Sequence, residues 1–172
     1  MTEEKLLSML LRETYTKSDI LRRLRLLREY LEFKYFSSER QTDLSYFLAK
    51  HNVPEVDIGV FASFSDEFYA SFTKENAYTE LTKLSEAVDK QPQIVVLVPY
   101  DFGAEEIMRL GRWMRTNIHP QMIIELRNNP TLLGGCAFAY EGYYHDFSLR
   151  YYMMKKREEI RAIIAKYADE FK

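Results

Sequence analysis

Cysteine is almost missing: Cys136 is the single one among 172 residues. That excludes an intramolecular disulfide and a cysteine-rich zinc site, and it suits a reducing compartment. Glycine and proline are scarce as well, at six and five, which leaves little room for a disordered linker or a collagen-like segment. Charge of one sign is also lacking. The 24 Lys+Arg stand against 26 Asp+Glu, a formal charge of -2, so no global positive field holds a nucleic-acid backbone. No apolar run approaches the roughly 20 residues that span a bilayer; the longest is Ile94 to Pro99. Glu3 and Glu4 precede the first short apolar run, whereas targeting leaders are basic and poor in acids, so none is expected.

Recognisable reaction chemistry is missing too. No Gly-x-x-x-x-Gly-Lys-Ser/Thr loop is present to cradle nucleotide phosphates. His51, His119 and His145 form no His-Glu-x-x-His or His-x-x-x-His pair. Cys136 falls in an expected strand without a basic neighbour and reads as an inert core thiol. Glu105-Glu106 and Glu158-Glu159 are adjacent on helices, point in different directions and read as solvated faces rather than acid/base pairs. The expectation is a non-enzyme with no catalytic residue, no cofactor and no metal. What the chain does have is aromatic residues, with 13 Tyr and 11 Phe, which must fill cores or meet other proteins.

The apolar spacing divides the chain into two halves, 1–90 and 91–172. The first is expected to be an all-helical bundle. Leu6, Leu7, Leu10 and Leu11 share a face of one helix, and Ile20, Leu24, Leu27, Leu31 and Tyr35 recur at three- and four-residue intervals in a second. Ser37 or Ser38 is the expected cap of a third, stopped at Pro54. Val56 to Phe72 and Tyr78 to Val88 read as two more. At Gln91-Pro92 the period changes. The run Gln93 to Val98 is the pattern of a strand covered on both faces. A helix over Ala104 to Asn117 follows, then a strand over Met122 to Leu126, then a hairpin of Cys136 to Tyr140 and Tyr143 to Phe147 around Glu141-Gly142. Ser148 opens a last long helix to Tyr167. The second half is thus β-α-β-β-β-α, and the fold class is α+β: a helical bundle followed by a small α/β domain.

Two segments of that second half carry a resemblance. Asn129-Pro130-Thr131-Leu132-Leu133-Gly134-Gly135 and, eleven residues after Gly135, Asp146-Phe147-Ser148-Leu149-Arg150 stand in the order and spacing of two motifs in the C-terminal domain of the ATP synthase delta subunit. The mitochondrial counterpart of that family is the oligomycin-sensitivity-conferring protein. Asn stands for the family's Asp at 129, Phe for its Gly at 147, and the Tyr-Ala-x-Ala-Leu signature near the family's N-terminus has no counterpart here. The likeness covers roughly residues 93 to 165. It implies a non-catalytic stator subunit of an F-type ATP synthase. Its helical half would grip the N-terminal segments of the alpha subunits, and its α/β half the C-terminal region of the b-subunit stalk. A monomer in isolation, it would sit peripherally at the cytoplasmic face of the cell membrane, touching the membrane only through the complex and binding no nucleic acid.

Read for their physics, Gly134 and Gly135 allow a close backbone approach, and Asp146 and Ser148 are N-cap acceptors for the last helix. Phe61, Phe64, Phe68 and Phe72 are candidates for the wall of a groove that takes a partner helix. One alternative is a stalk subunit of an archaeal or vacuolar-type rotary ATPase, in which a long charged helix should come first. Another is an RNA-binding or regulatory module using Arg22, Arg23, Arg25 and Arg28, although Glu29 and Glu32 can answer those charges.

Overall fold

The computed structural model describes residues 2–170; Met1, Phe171 and Lys172 lie outside it. It is mixed α/β. Six helices come first: α1 (Glu3–Leu11), α2 (Lys17–Phe36), α3 (Leu44–Lys50), α4 (Glu55–Ser63), α5 (Asp66–Ala70) and α6 (Ala77–Asp89). Then follow β1 (Gln93–Val98), α7 (Ala104–Asn117), β2 (Ile123–Asn128), a 3-10 turn (Pro130–Leu132), β3 (Ala137–Tyr140), β4 (Tyr143–Asp146), α8 (Leu149–Lys155) and α9 (Arg157–Glu170).

Side-chain oxygens set several helix starts by accepting from backbone N–H groups left over in the first turn. Thr16 accepts from Asp19 N at 3.1 Å and so starts α2. Asp43, not Ser37 or Ser38, starts α3 by accepting from Tyr46 N at 3.0 Å. The segment expected as one helix from Val56 to Phe72 is two. After Ser63 the chain extends through Phe64 at ψ 137°, and Ser65 caps a new helix by accepting from Phe68 N. The last helix is likewise broken, at Lys156.

The four strands form one sheet in the order β2-β1-β3-β4. β1 and β2 are parallel, which requires the α7 crossover between them, while β1–β3 and β3–β4 are antiparallel. The hairpin turns at Glu141-Gly142, both with positive φ, as a tight two-residue loop demands. β1 is not sandwiched as its sequence suggests. Ile94, Val96 and Val98 are buried with Met114 of α7, but Val95 and Leu97 on the other face are only half-buried.

Two cores meet at β2. The larger holds Leu6, Leu10, Leu27, Phe47, Phe61, Phe68 and Leu84 from the bundle together with Ile123, whereas the next residue, Ile124, faces the smaller core under α7. Successive strand residues point to opposite faces, so β2 feeds both. The seam is reinforced by polar contacts. Ile124 N donates to Tyr15 O at 2.9 Å, giving the edge strand β2 a partner for part of its open side. Arg115 of α7 lies over the Tyr15 ring at 4.5 Å and donates to the carbonyls of Leu11, Thr14 and Met122. Burial lowers its pKa, which Tyr15 partly offsets. Tyr15 can lie there because position 111 is glycine: a Cβ would fall well under 3.0 Å from the tyrosine ring.

Candidate protein-binding surfaces

The four phenylalanines expected to wall a partner groove are core residues. Phe61, Phe64, Phe68 and Phe72 are 1%, 8%, 0% and 1% exposed. All four rings turn inward across the break between α4 and α5. Phe64 lies 4.3 Å from Phe68, and Phe68 5.4 Å from Phe72, between ring centroids. Tyr69 closes the cluster by donating its hydroxyl to Phe61 O at 2.7 Å, and burial pushes its pKa up. The expected groove wall is therefore corrected to a packed core. Phe68→Ala should cost about 3–5 kcal/mol of folding stability, the range for a buried ring. Urea unfolding of the full chain checks it, and a loss below about 1 kcal/mol would contradict the packing.

The bundle does have a groove, between α2 and α6. Leu21, Leu24, Tyr78 and Leu81 line a hollow of about 400 Å³ with Arg25 and Arg28 at its edge. Leu21 and Tyr78 are exposed. Arg28 is held against Glu32 at 2.9 Å and lies 5.6 Å from the Tyr78 ring centroid, while the Tyr78 hydroxyl hydrogen-bonds Glu32 at 3.2 Å. Apolar side chains bordered by the Arg28–Glu32 pair form a surface suited to an amphipathic helix.

The two motif segments come together at the base of the sheet. Asn129 Oδ1 accepts from Thr131 N at 3.2 Å and caps the 3-10 turn that Pro130 opens. Leu133 is left-handed at φ 66° and exposed. The two glycines then differ. A Cβ on Gly134 would meet Leu149 at an ordinary 3.6 Å, but Gly135, at φ +71°, lies with its Cβ direction against the Phe147 carbonyl. Cys136 O accepts from Phe147 N and Gly134 O from Leu149 N, both at 2.9 Å, joining the two motifs through their backbones. Asp146 Oδ1 accepts from Ser148 N at 2.8 Å, and Ser148 Oγ caps α8 from Tyr151 N at 3.1 Å. Arg150 is exposed on α8. These roles are architectural.

Beyond the motifs, α8 and α9 carry apolar side chains that nothing among the described residues covers. On α9, Ile163 and Ile164 are 56% and 62% exposed, and Tyr167 is exposed beside them. With Ile160 they fall at i, i+3, i+4 and i+7, a single stripe. α8 adds Leu149, Met153 and Met154, all exposed; Tyr143 and Tyr144 of the hairpin are exposed too, on opposite faces of β4. Six cations, Arg150, Lys155, Lys156, Arg157, Arg161 and Lys166, accompany the stripe. The apolar spacing predicts one long helix here to Tyr167, and its stripe stands in solvent.

The arginine cluster of α2 is not an open cationic patch. Arg23 is buried and donates to Asp57 at 2.9 Å, Arg22 makes two bonds to the same carboxylate at 2.8 and 3.0 Å, and Arg28 pairs with Glu32. His119 accepts from Gln121 N at 3.1 Å, and the rings of His51 and His145 pack at a tilt against Phe47 and Phe138. Cys136 is half-buried just before β3. Among the described residues no cluster of His, Cys, Asp or Glu is arranged to hold a metal ion, and no helix is long and apolar enough to cross a membrane. No family model matches the chain, and a search of curated proteins finds no match.

Proposed function

We propose that the protein is a delta-type, non-catalytic stator subunit of an F-type ATP synthase, tying the catalytic head to the peripheral stalk against the torque of rotation. The observation that carries this reading is the uncovered apolar side chains of α8 and α9, with the start of α8 tied to Gly134 through the motif backbones. A tether needs rigid helix-docking faces and no reaction. In this reading α8 and α9 receive the C-terminal region of the b subunit, and the groove between α2 and α6 receives an N-terminal segment of an alpha subunit. The protein sits peripherally at the cytoplasmic face of the membrane, reaching it only through the complex. The seam at Tyr15, Gly111 and Arg115 suits such a part, because load passed from one half to the other crosses packed side chains and hydrogen bonds rather than a loose linker.

The test is calorimetric titration of the full chain with synthetic peptides of the alpha N-terminus and the b C-terminus from the same genome. Saturable binding of both is expected. Ile164→Asp should weaken the b peptide at least about tenfold, ~1.4 kcal/mol, and leave the alpha peptide unaffected. Failure of the folded protein to bind either peptide would sink the assignment.

A further inference from the structure

A third surface lies apart from both of these, at the seam between the halves. Val56, Gly59 and Val60 of α4 face Ile107 and Met108 of α7 across a cleft of about 780 Å³, with Tyr15 among its walls. That volume is in the range of built binding sites, and the lining is mainly apolar. Val56 stands 61% exposed in it. Gly59 lies inside α4, where glycine is among the least favourable residues, yet a Cβ there would meet nothing within 4 Å. The space is therefore open rather than occupied by the protein's own side chains.

The charges around the cleft fix the sign of an occupant. Arg22 is committed to Asp57 and to Asp19, the latter at 2.8 Å. Arg23 is committed to Asp57, Thr14 and the Glu13 carbonyl. Asp19 is taken up by Arg22 and by Thr16 at 2.6 Å. Two lining charges remain, the carboxylates of Glu13 and Glu105, both exposed, on different walls, and without an ion-pair partner among the described residues. An anion would find no free cation in this lining. A cation beside an apolar body finds two carboxylates and a greasy floor.

We propose that this cleft docks a cationic amphipathic peptide segment, its apolar side chains between α4 and α7 and its Lys or Arg against Glu13 and Glu105. The site goes beyond the stator reading and does not rest on it, since neither the α2/α6 groove nor the α8–α9 stripe contributes to it.

The probes are a fluorescently labelled 15-residue helix of leucine and lysine and its leucine–glutamate counterpart, titrated into the full-length protein by anisotropy. The lysine peptide should bind saturably and the glutamate peptide at least about tenfold more weakly. Gly59→Trp, whose ring would occupy the cleft, should weaken the lysine peptide by about tenfold or more with the far-ultraviolet spectrum unchanged. Glu105→Lys, on an exposed helical position that leaves packing alone, should do the same and keeps the test decisive if the tryptophan variant folds poorly. Leu21→Asp, in the α2/α6 groove, should have no effect. Absence of binding, equal binding of both peptides, or full affinity in Glu105→Lys would overturn the proposal.

Discussion

Asp57→Ala is expected to remove about 3–5 kcal/mol of stability, because it leaves Arg23 buried with its principal counter-charge gone. Asp57 is buried in α4 and accepts from Arg23 Nε at 2.9 Å and from Arg22 Nε and Nη2 at 2.8 and 3.0 Å. Burial pushes the carboxyl pKa up, but the two guanidinium groups outweigh it and the net displacement is downward. A folded-state pKa below the unfolded one means that the contribution is fully present above the unfolded value, near pH 4. It is then lost as the pH falls through the folded value. Urea unfolding of wild type and Asp57→Asn between pH 7 and pH 2.5 reads this directly. The gap between the two proteins should be widest at neutral pH and should narrow below about pH 4. A gap that stays constant with pH would mean that the carboxylate charge contributes nothing.

The second large effect is expected at Gly135, and its contrast with Gly134 carries the information. Gly135→Ala combines a left-handed backbone at φ +71° with a Cβ driven against the Phe147 carbonyl, which belongs to backbone and cannot rotate away. The expected loss is about 3 kcal/mol. Gly134 has neither problem. Its Cβ would touch the Leu149 side chain at 3.6 Å, so Gly134→Ala should be neutral or stabilise by up to about 1 kcal/mol by restricting the unfolded chain. Thermal unfolding of the two variants separates these outcomes. Equal destabilisation would show that the close approach of the Gly135 and Phe147 backbones is not what selects glycine.

Adjacent glycines in one motif look alike in sequence, and the same limit recurs elsewhere. Signals that act over a few residues were legible. The bounds of α7 and β1, the Glu141-Gly142 turn and the Ser148 cap follow from hydrophobic period, β-branching and the nearest N–H donors. The break at Ser65 was marked by a serine able to cap, but the aromatic spacing of Phe61, Phe64, Phe68 and Phe72 fitted a single helix equally well.

The sequence by itself determined the order and type of the elements and which of their faces are apolar, though not every break between them, because both depend on local backbone preferences and on the regular placement of side chains along helix and strand. Only the tertiary structure decided what covers each face. The rings of Phe61, Phe64, Phe68 and Phe72 are buried in the bundle core, whereas Ile163 and Ile164, in an equally good stripe, are left in solvent. Tertiary structure also decided that Arg22 and Arg23 serve a buried aspartate 35 and 34 residues away. In the same way it placed Gly111 where a tyrosine from the first half must fit. Such pairings depend on the path of the whole chain, and local spacing does not encode that path.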